Sequence, residues 1–240
     1  MSHRRSVELL AVRSLSPTVK AFVFRCTDGE PLRYVPGQWL NFDVPGPGDE
    51  LLRRAYSIAS APDPEHPGRF EIAVTRVAEG GLASIALHAL EPGAQLHVDG
   101  PHGFFTREQE RALPALFVGT GTGVCPLRAM LEDELRDPNG PPLALLFGIR
   151  NEADILYREQ FEAWTRDNPR FRLHVTLSRP AGEWRGLTGY VQTHLPQLIT
   201  AEHRPHVYIC GLSKMITDVR ATLKQQLGYD RKLIHSERYD

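Results

Sequence analysis

The stretch Gly119–Pro126, GTGTGVCP, places three glycines within five residues, between an apolar run and a helix-like run. Glycines at such a junction let backbone N–H groups approach an anion, and the start of the following helix adds a positive dipole end. A nucleotide phosphate suits that arrangement, yet the spacing fits neither common pattern. A G-x-G-x-x-G begun at Gly119 meets Val124 in its last position, and one begun at Gly121 meets Pro126. No G-x-x-x-x-G-K-[ST] occurs. Pro126 suits the first turn of the following helix, where a missing N–H costs little. Two further segments carry side chains that could act with this loop. Ser178–Arg179 offers a hydroxyl and a guanidinium, and Cys210–Leu212 offers a thiol.

Other chemistries lack their residues. There is no G-x-S-x-G or H-E-x-x-H. Cys26, Cys125 and Cys210 are too few for a four-thiolate iron–sulfur cluster and too scattered for a disulfide framework. His203, His206 and Cys210 in HRPHVYIC have loosely metal-like spacing, but the segment reads better as a buried strand with a polar lead-in, and no metal site is expected. The 240 residues, 41% hydrophobic and 24% charged, have the make-up of a soluble globular chain of one large domain or two ordinary ones. A net charge of −1 argues against a broad nucleic-acid-binding surface. No apolar run approaches the ~18 residues of a membrane span. The start, MSHRRSVELLAVRS, is basic without the apolar stretch of a secretory signal, so a cytoplasmic location is expected.

The elements that must position these residues follow two grammars. Before about residue 110, short strand-like runs (SVELLAVRS, TVKAFVFRC, QWLNFDV, AYSIAS, FEIAVTRV, AQLHVDG) are separated by Pro/Gly clusters, which predicts an antiparallel barrel or sandwich. One helix, LASIALHAL, interrupts them and stops at EPG. Beyond about residue 114, strands alternate with helices. The strands are ALFVG, LALLFGI, FRLHVTL, HVYICG and RKLIHSE; the helices are PLRAMLEDELRD, YREQFEAWTRD, GYVQTHLPQLI and SKMITDVRATLKQQLG. Such alternation predicts an α/β domain with a parallel sheet. We place the domains at 1–110 and 111–240. Ligands of an open parallel sheet bind beyond the carboxyl ends of its strands, which puts Gly119–Pro126, Ser178–Arg179 and Cys210–Leu212 on one rim.

Six segments in order, RAYS (Arg54–Ser57), GGLAS (Gly80–Ser84), GTGTGVCP, FGIRNEADILY (Phe147–Tyr157), LSR (Leu177–Arg179) and VYICGLSKM (Val207–Met215), together resemble the plant-type ferredoxin–NADP reductase superfamily across essentially the whole chain. The resemblance implies a flavin-binding antiparallel barrel followed by a nicotinamide-binding α/β domain. It implies that FAD is met by Arg54 at the pyrophosphate, Tyr56 at the isoalloxazine and Ser57 near flavin N5, with Ala55 also among its contacts. Ile72 and Val74 would meet the flavin edge through their backbone, Gly81, Leu82, Ala83 and Ser84 would cradle phosphate, and Thr122 and Tyr239 complete the set. Ser84 taken alone reads equally well as a helix cap. For the nicotinamide nucleotide the resemblance implies Gly121, Thr122, Gly123, Arg150, Ser178, Arg179, Tyr190, Cys210, Gly211 and Leu212. Ser57, Cys210, Glu237 and Tyr239 would stand at the reacting atoms, with Cys210 orienting the nicotinamide rather than attacking it.

The implied activity is transfer of a hydride from NADPH to FAD and of electrons to a separate ferredoxin or flavodoxin, or the reverse. Arg179 can pair with a 2′-phosphate and Tyr190 resembles an adenosine-stacking tyrosine, so NADP is favoured, with NAD an alternative and FMN open against FAD. Other acceptors stay open: the chain could be the reductase component of a multi-component oxygenase or a free-flavin reductase. A non-catalytic flavin-binding module is disfavoured, because the RAYS and CG ends are both intact. A monomer is expected.

Overall fold

Strand β1 (Arg4–Ser14) turns Val7 and Leu9 inward and leaves its charged residues outside. The computed structural model describes residues 4–48, 50–200 and 203–239. It divides into two compact units, Met1–Thr106 with Arg128–Asp133, and Arg107–Leu127 with Glu134–Asp240.

In the first unit β1 is joined by β2 (Val19–Cys26), β3 (Trp39–Pro45), β4 (Leu51–Ser57), β5 (Arg69–Thr75) and β6 (Gln95–His102), with helix α1 (Leu82–His88) between β5 and β6. The sheet order is β4-β3-β6-β1-β2-β5, and every pairing is antiparallel. A bridge between Ile58 and Ile72 links the two outer strands, so the sheet curls into a barrel. Its interior is aromatic: Phe24 lies 5.3 Å from Phe42 and 5.7 Å from Phe70, centroid to centroid. Helix α1 adds Ala83 and Leu87 to this core.

The parallel sheet of the second unit has the order β10-β9-β8-β7-β11-β12. Its strands are β7 (Ala115–Thr120), β8 (Leu143–Ile149), β9 (Phe171–Leu177), β10 (Leu187–Thr188), β11 (His206–Gly211) and β12 (Ile234–Arg238). Helix α2 (Val124–Glu134) follows β7, α3 (Arg158–Asp167) precedes β9, and α5 (Ser213–Ala221) follows β11 and runs on as a π-helical turn over Thr222–Gln226. The helix expected over 189–199 is broken. A 3-10 turn spans Val191–His194, and only Leu195–Leu198 (α4) is α-helical. Pro196 has no N–H to give the Gln192 carbonyl, which interrupts the α pattern there. The last strand also starts later than expected, because Asp230 accepts from the Lys232 N–H (2.9 Å) and holds Arg231–Leu233 as a 3-10 turn. The two-residue edge strand β10 has no counterpart in the sequence pattern.

Candidate functional site

The glycine loop is shaped by its neighbour strand. Gly119 lies opposite Cys210 in the β7–β11 register, so the loop leaves the sheet beside the end of β11. Gly121 has φ +53°, open to glycine at little cost. A Cβ on Gly123 would lie 2.4 Å from the Cys210 carbonyl oxygen and 2.8 Å from the Gly211 Cα, both backbone atoms that cannot give way. One glycine therefore serves the turn and another the close approach, at a spacing set by β11. That accounts for the departure from G-x-G-x-x-G. Gly121–Gly123 form a 3-10 turn that runs directly into α2, with Pro126 in its first turn.

Cys210 is fully buried, and burial first, then the Glu237 carboxylate, pushes its thiol well above the ordinary cysteine range. It therefore stays a neutral thiol at physiological pH, which suits orientation and not nucleophilic attack. Parallel pairing of β11 with β12 sets Glu237 opposite Cys210. The Tyr239 N–H donates to the Gly211 carbonyl at 2.9 Å, which sets Tyr239 beside the end of β11. Cys210, Gly211, Glu237 and Tyr239 are thus brought together.

Arg150 and Arg179 stand at the ends of adjacent strands. The Arg179 N–H donates to the Arg150 carbonyl and the Ser178 N–H to the Ile149 carbonyl, each at 2.9 Å. Both arginine side chains are exposed, and neither has an ion-pair partner among the described residues. Tyr190 is 67% exposed beside Gly189, whose N–H donates to the Leu177 carbonyl, and Leu212 is 64% exposed at the end of β11. An exposed aromatic and two unpaired cations gathered at one strand edge suit a nucleotide that brings its own base and phosphates. Thr120, absent from the sequence-based set, belongs to this edge: its Oγ1 would lie 2.6 Å from a Cβ on Gly211. Its one sequence signal is that it is the first polar residue after the apolar run of β7.

In the first unit the RAYS segment is the end of β4, an outer strand of the sheet. Arg53, Arg54 and Ala55 are all exposed, breaking the alternation expected of a strand, whereas Tyr56 is half-buried and Ser57 buried. The Tyr56 ring meets Phe42 edge-on (5.7 Å, 75°), and burial pushes its phenol up to about 12. Arg53 pairs with Asp99, but the hydrogen bond of the Arg54 guanidinium goes only to the Arg53 carbonyl. An exposed arginine without an acidic partner among the described residues suits an incoming phosphate. Ile72 and Val74 are buried in β5. Gly81–Ser84 open α1, but Ser84 does not cap it. Its Oγ donates to the Gly81 carbonyl (2.9 Å) and accepts from the Val77 N–H (3.0 Å), pinning the loop that leads into the helix. The reason is positional: Ser84 lies within the first turn, and Gly81 occupies the cap position.

Comparison with known proteins agrees with this geometry. A family model for the oxidoreductase FAD-binding domain matches residues 6–106, and one for the oxidoreductase NAD-binding domain matches 117–221. Ferredoxin–NADP reductase B of Sorangium cellulosum (strain So ce56) is 50% identical over 97% of this chain and 96% of its own length. The phenol hydroxylase P5 protein of Acinetobacter pittii (strain PHEA-2) is 32% identical over 96% of this chain and 64% of its own length. Among solved structures, the flavohem-like FAD/NAD binding domain of Vibrio cholerae nitric oxide dioxygenase superposes with a TM-score of 0.86 at 24% identity, over 98% of both chains. A ferredoxin–NADP+ reductase from Neisseria gonorrhoeae, with bound FAD and NADP, gives 0.81 at 20% identity over 99% of both. At those identities the structures attest the fold alone. A flavin-binding barrel and a nicotinamide-binding α/β unit on one chain define an FAD-dependent oxidoreductase. The chain belongs to the ferredoxin–NADP reductase family.

Proposed function

We propose that the protein exchanges electrons between NADPH and a separate ferredoxin or flavodoxin, acting as a cytoplasmic monomer. The observation that carries the coenzyme choice is the side-by-side pair Arg150 and Arg179, exposed and unpaired at the carboxyl edge of the sheet. Two guanidinium groups there suit a ribose 2′-phosphate, which NADH lacks. The ferredoxin-type acceptor is supported by the 50% identity to the Sorangium reductase. Among the described residues no helix is long and apolar enough to cross a membrane.

Bound FAD supplies the conversion between a two-electron hydride and single electrons. The chain's own residues bind and orient. Arg54 holds the pyrophosphate, and Tyr56, packed on Phe42, offers a fixed ring face. Ser57 places a neutral hydroxyl near flavin N5, and Ile72 and Val74 present backbone to the flavin edge. Gly81, Leu82, Ala83 and Ser84 shape the phosphate loop. Gly121, Thr122 and Gly123 hold the nicotinamide nucleotide against the end of β11, and Ser178, Arg179 and Tyr190 take its adenosine end. Cys210 and Gly211 border the nicotinamide ring. Tyr239, tied by its N–H to the Gly211 carbonyl, would stand beside the nicotinamide ring.

A second reading, the reductase component of an oxygenase, is favoured by the 32% identity to the phenol hydroxylase P5 protein. Purification with identification of the bound flavin, followed by anaerobic bleaching with NADPH and NADH, tests the first reading. Faster bleaching by NADPH and electron delivery to ferredoxin support it. Preference for NADH, or delivery only to an oxygenase, moves the assignment to the second.

A further inference from the structure

At the opposite edge of the same sheet, two histidines from neighbouring strands meet. His206 opens β11 and His235 is the second residue of β12. His206 Nδ1 lies 3.0 Å from His235 Nε2, and the rings are 15° from parallel with centroids 5.3 Å apart, so they face one another head to head. The Glu110 carboxylate, from the segment leading into β7, completes a set whose ligand atoms all lie within 4.8 Å of one another. The Tyr208 ring stacks on His235 at 4.4 Å and 9°, and its hydroxyl donates to Glu110 Oε2 in a long 3.4 Å contact.

We infer that Glu110, His206 and His235 bind one borderline divalent transition-metal ion of the Zn2+ type. Two ring nitrogens this close cannot both carry protons. Either one N–H is shared between them, or both lone pairs turn to a common cation. Two nitrogens held at 2.0–2.1 Å by one tetrahedral ion stand about 3.3 Å apart, so the pair needs only a small widening and a turn of the rings. Two imidazoles and one carboxylate form a donor set suited to zinc. Calcium and magnesium prefer all-oxygen sets. The nearby Arg107 lies 3.2 Å from Glu134 and donates to the Leu113 carbonyl at 2.6 Å. A metal here ties the segment before β7 to the starts of β11 and β12. It lies at the strand end remote from Cys210, which makes it a structural clasp independent of the coenzyme reading.

The test uses the untagged full chain, stripped with a chelator and titrated with Zn2+ alone. One equivalent should bind, with the melting temperature rising as free zinc rises, and Co2+ should give the visible bands of a tetrahedral site. His235→Ala and His206→Gln should each weaken binding at least about tenfold, equivalent to ~1.4 kcal/mol. Glu110→Gln, at a half-buried loop position, should weaken it several-fold with the fold intact. Absence of uptake, or uptake that all three variants leave unchanged, overturns the site. A shared imidazole N–H that persists by nitrogen NMR in zinc-saturated protein overturns it as well.

Discussion

The two edges of the parallel sheet treat their arginines in opposite ways. At the amino edge three arginines are engaged within the fold: Arg107 is buried against Glu134, and Arg170 donates to the carbonyls of Pro141 (2.8 Å) and Asp137 (2.7 Å). Arg204 likewise donates to the carbonyls of Leu227 and Gly228 and covers the Tyr229 ring at 5.3 Å. At the carboxyl edge the side chains of Arg150 and Arg179 have no ion-pair partner among the described residues. The barrel repeats the contrast, with Arg13 paired to Glu71 and Arg5 to Asp28 while Arg54 has no acidic partner among the described residues. A guanidinium held by partners inside the fold belongs to the architecture. One held out unsatisfied on a rigid strand end is placed for an anion that arrives from outside.

Breaking a buried pair should have the largest effect. Arg107→Ala takes from the buried Glu134 carboxylate its 3.2 Å guanidinium partner, and should cost about 3–5 kcal/mol in chemical denaturation. NADPH affinity should be unchanged, and a parallel loss of coenzyme binding would undo the division between the edges. Arg54→Ala should do the reverse. FAD affinity should fall roughly ten- to a hundredfold, from loss of a charge-assisted contact worth ~1.5–3 kcal/mol, with the stability of the flavin-free protein unaltered. Equilibrium flavin titration reads this, and unchanged affinity removes the pyrophosphate role.

Arg179→Ala should raise the KM for NADPH about tenfold, ~1.4 kcal/mol, and leave that for NADH nearly as it was. Equal losses with both coenzymes would place Arg179 away from the 2′-phosphate. Smaller still, Tyr239→Ser frees the surface beside Cys210. Coenzyme binding should tighten a few-fold, with a stronger long-wavelength charge-transfer band on titration with NADP+; no change would make Tyr239 a packing residue.

The smallest effect is one of pH. Burial pushes His88 and His174 below the ordinary histidine range. As pH falls below about 6.5 the unfolded chain takes up protons before the folded one does, so the stability present at neutral pH is progressively lost. Thermal melts from pH 7.5 to 5 should fall accordingly, and His174→Gln should flatten the fall without altering coenzyme preference.

Much of this was legible before any coordinates, because it is local. Short strand-like runs between Pro/Gly clusters mark the barrel strands, and apolar runs followed by amphipathic helices mark the parallel sheet. The order of the RAYS, GTGTGVCP and CG segments points to the cofactors. Where local signals conflict, the reading falters: Pro196 splits a segment whose apolar spacing is otherwise helical, and Ser84, cap-like in sequence, sits one turn too far in.

What the sequence by itself determined is the set of elements and the family, since hydrophobic period and motif spacing act along the chain. Only the tertiary structure decided why Gly123 must be glycine, because the atom it would strike is the backbone of Cys210 on another strand. It also decided which arginines are free, and it replaced the sequence neighbours His203 and Cys210 with His235 and Glu110 as the company of His206. Those outcomes depend on strand register and on which side chains the fold brings within a few ångströms, and neither is written in the spacing of residues along a single segment.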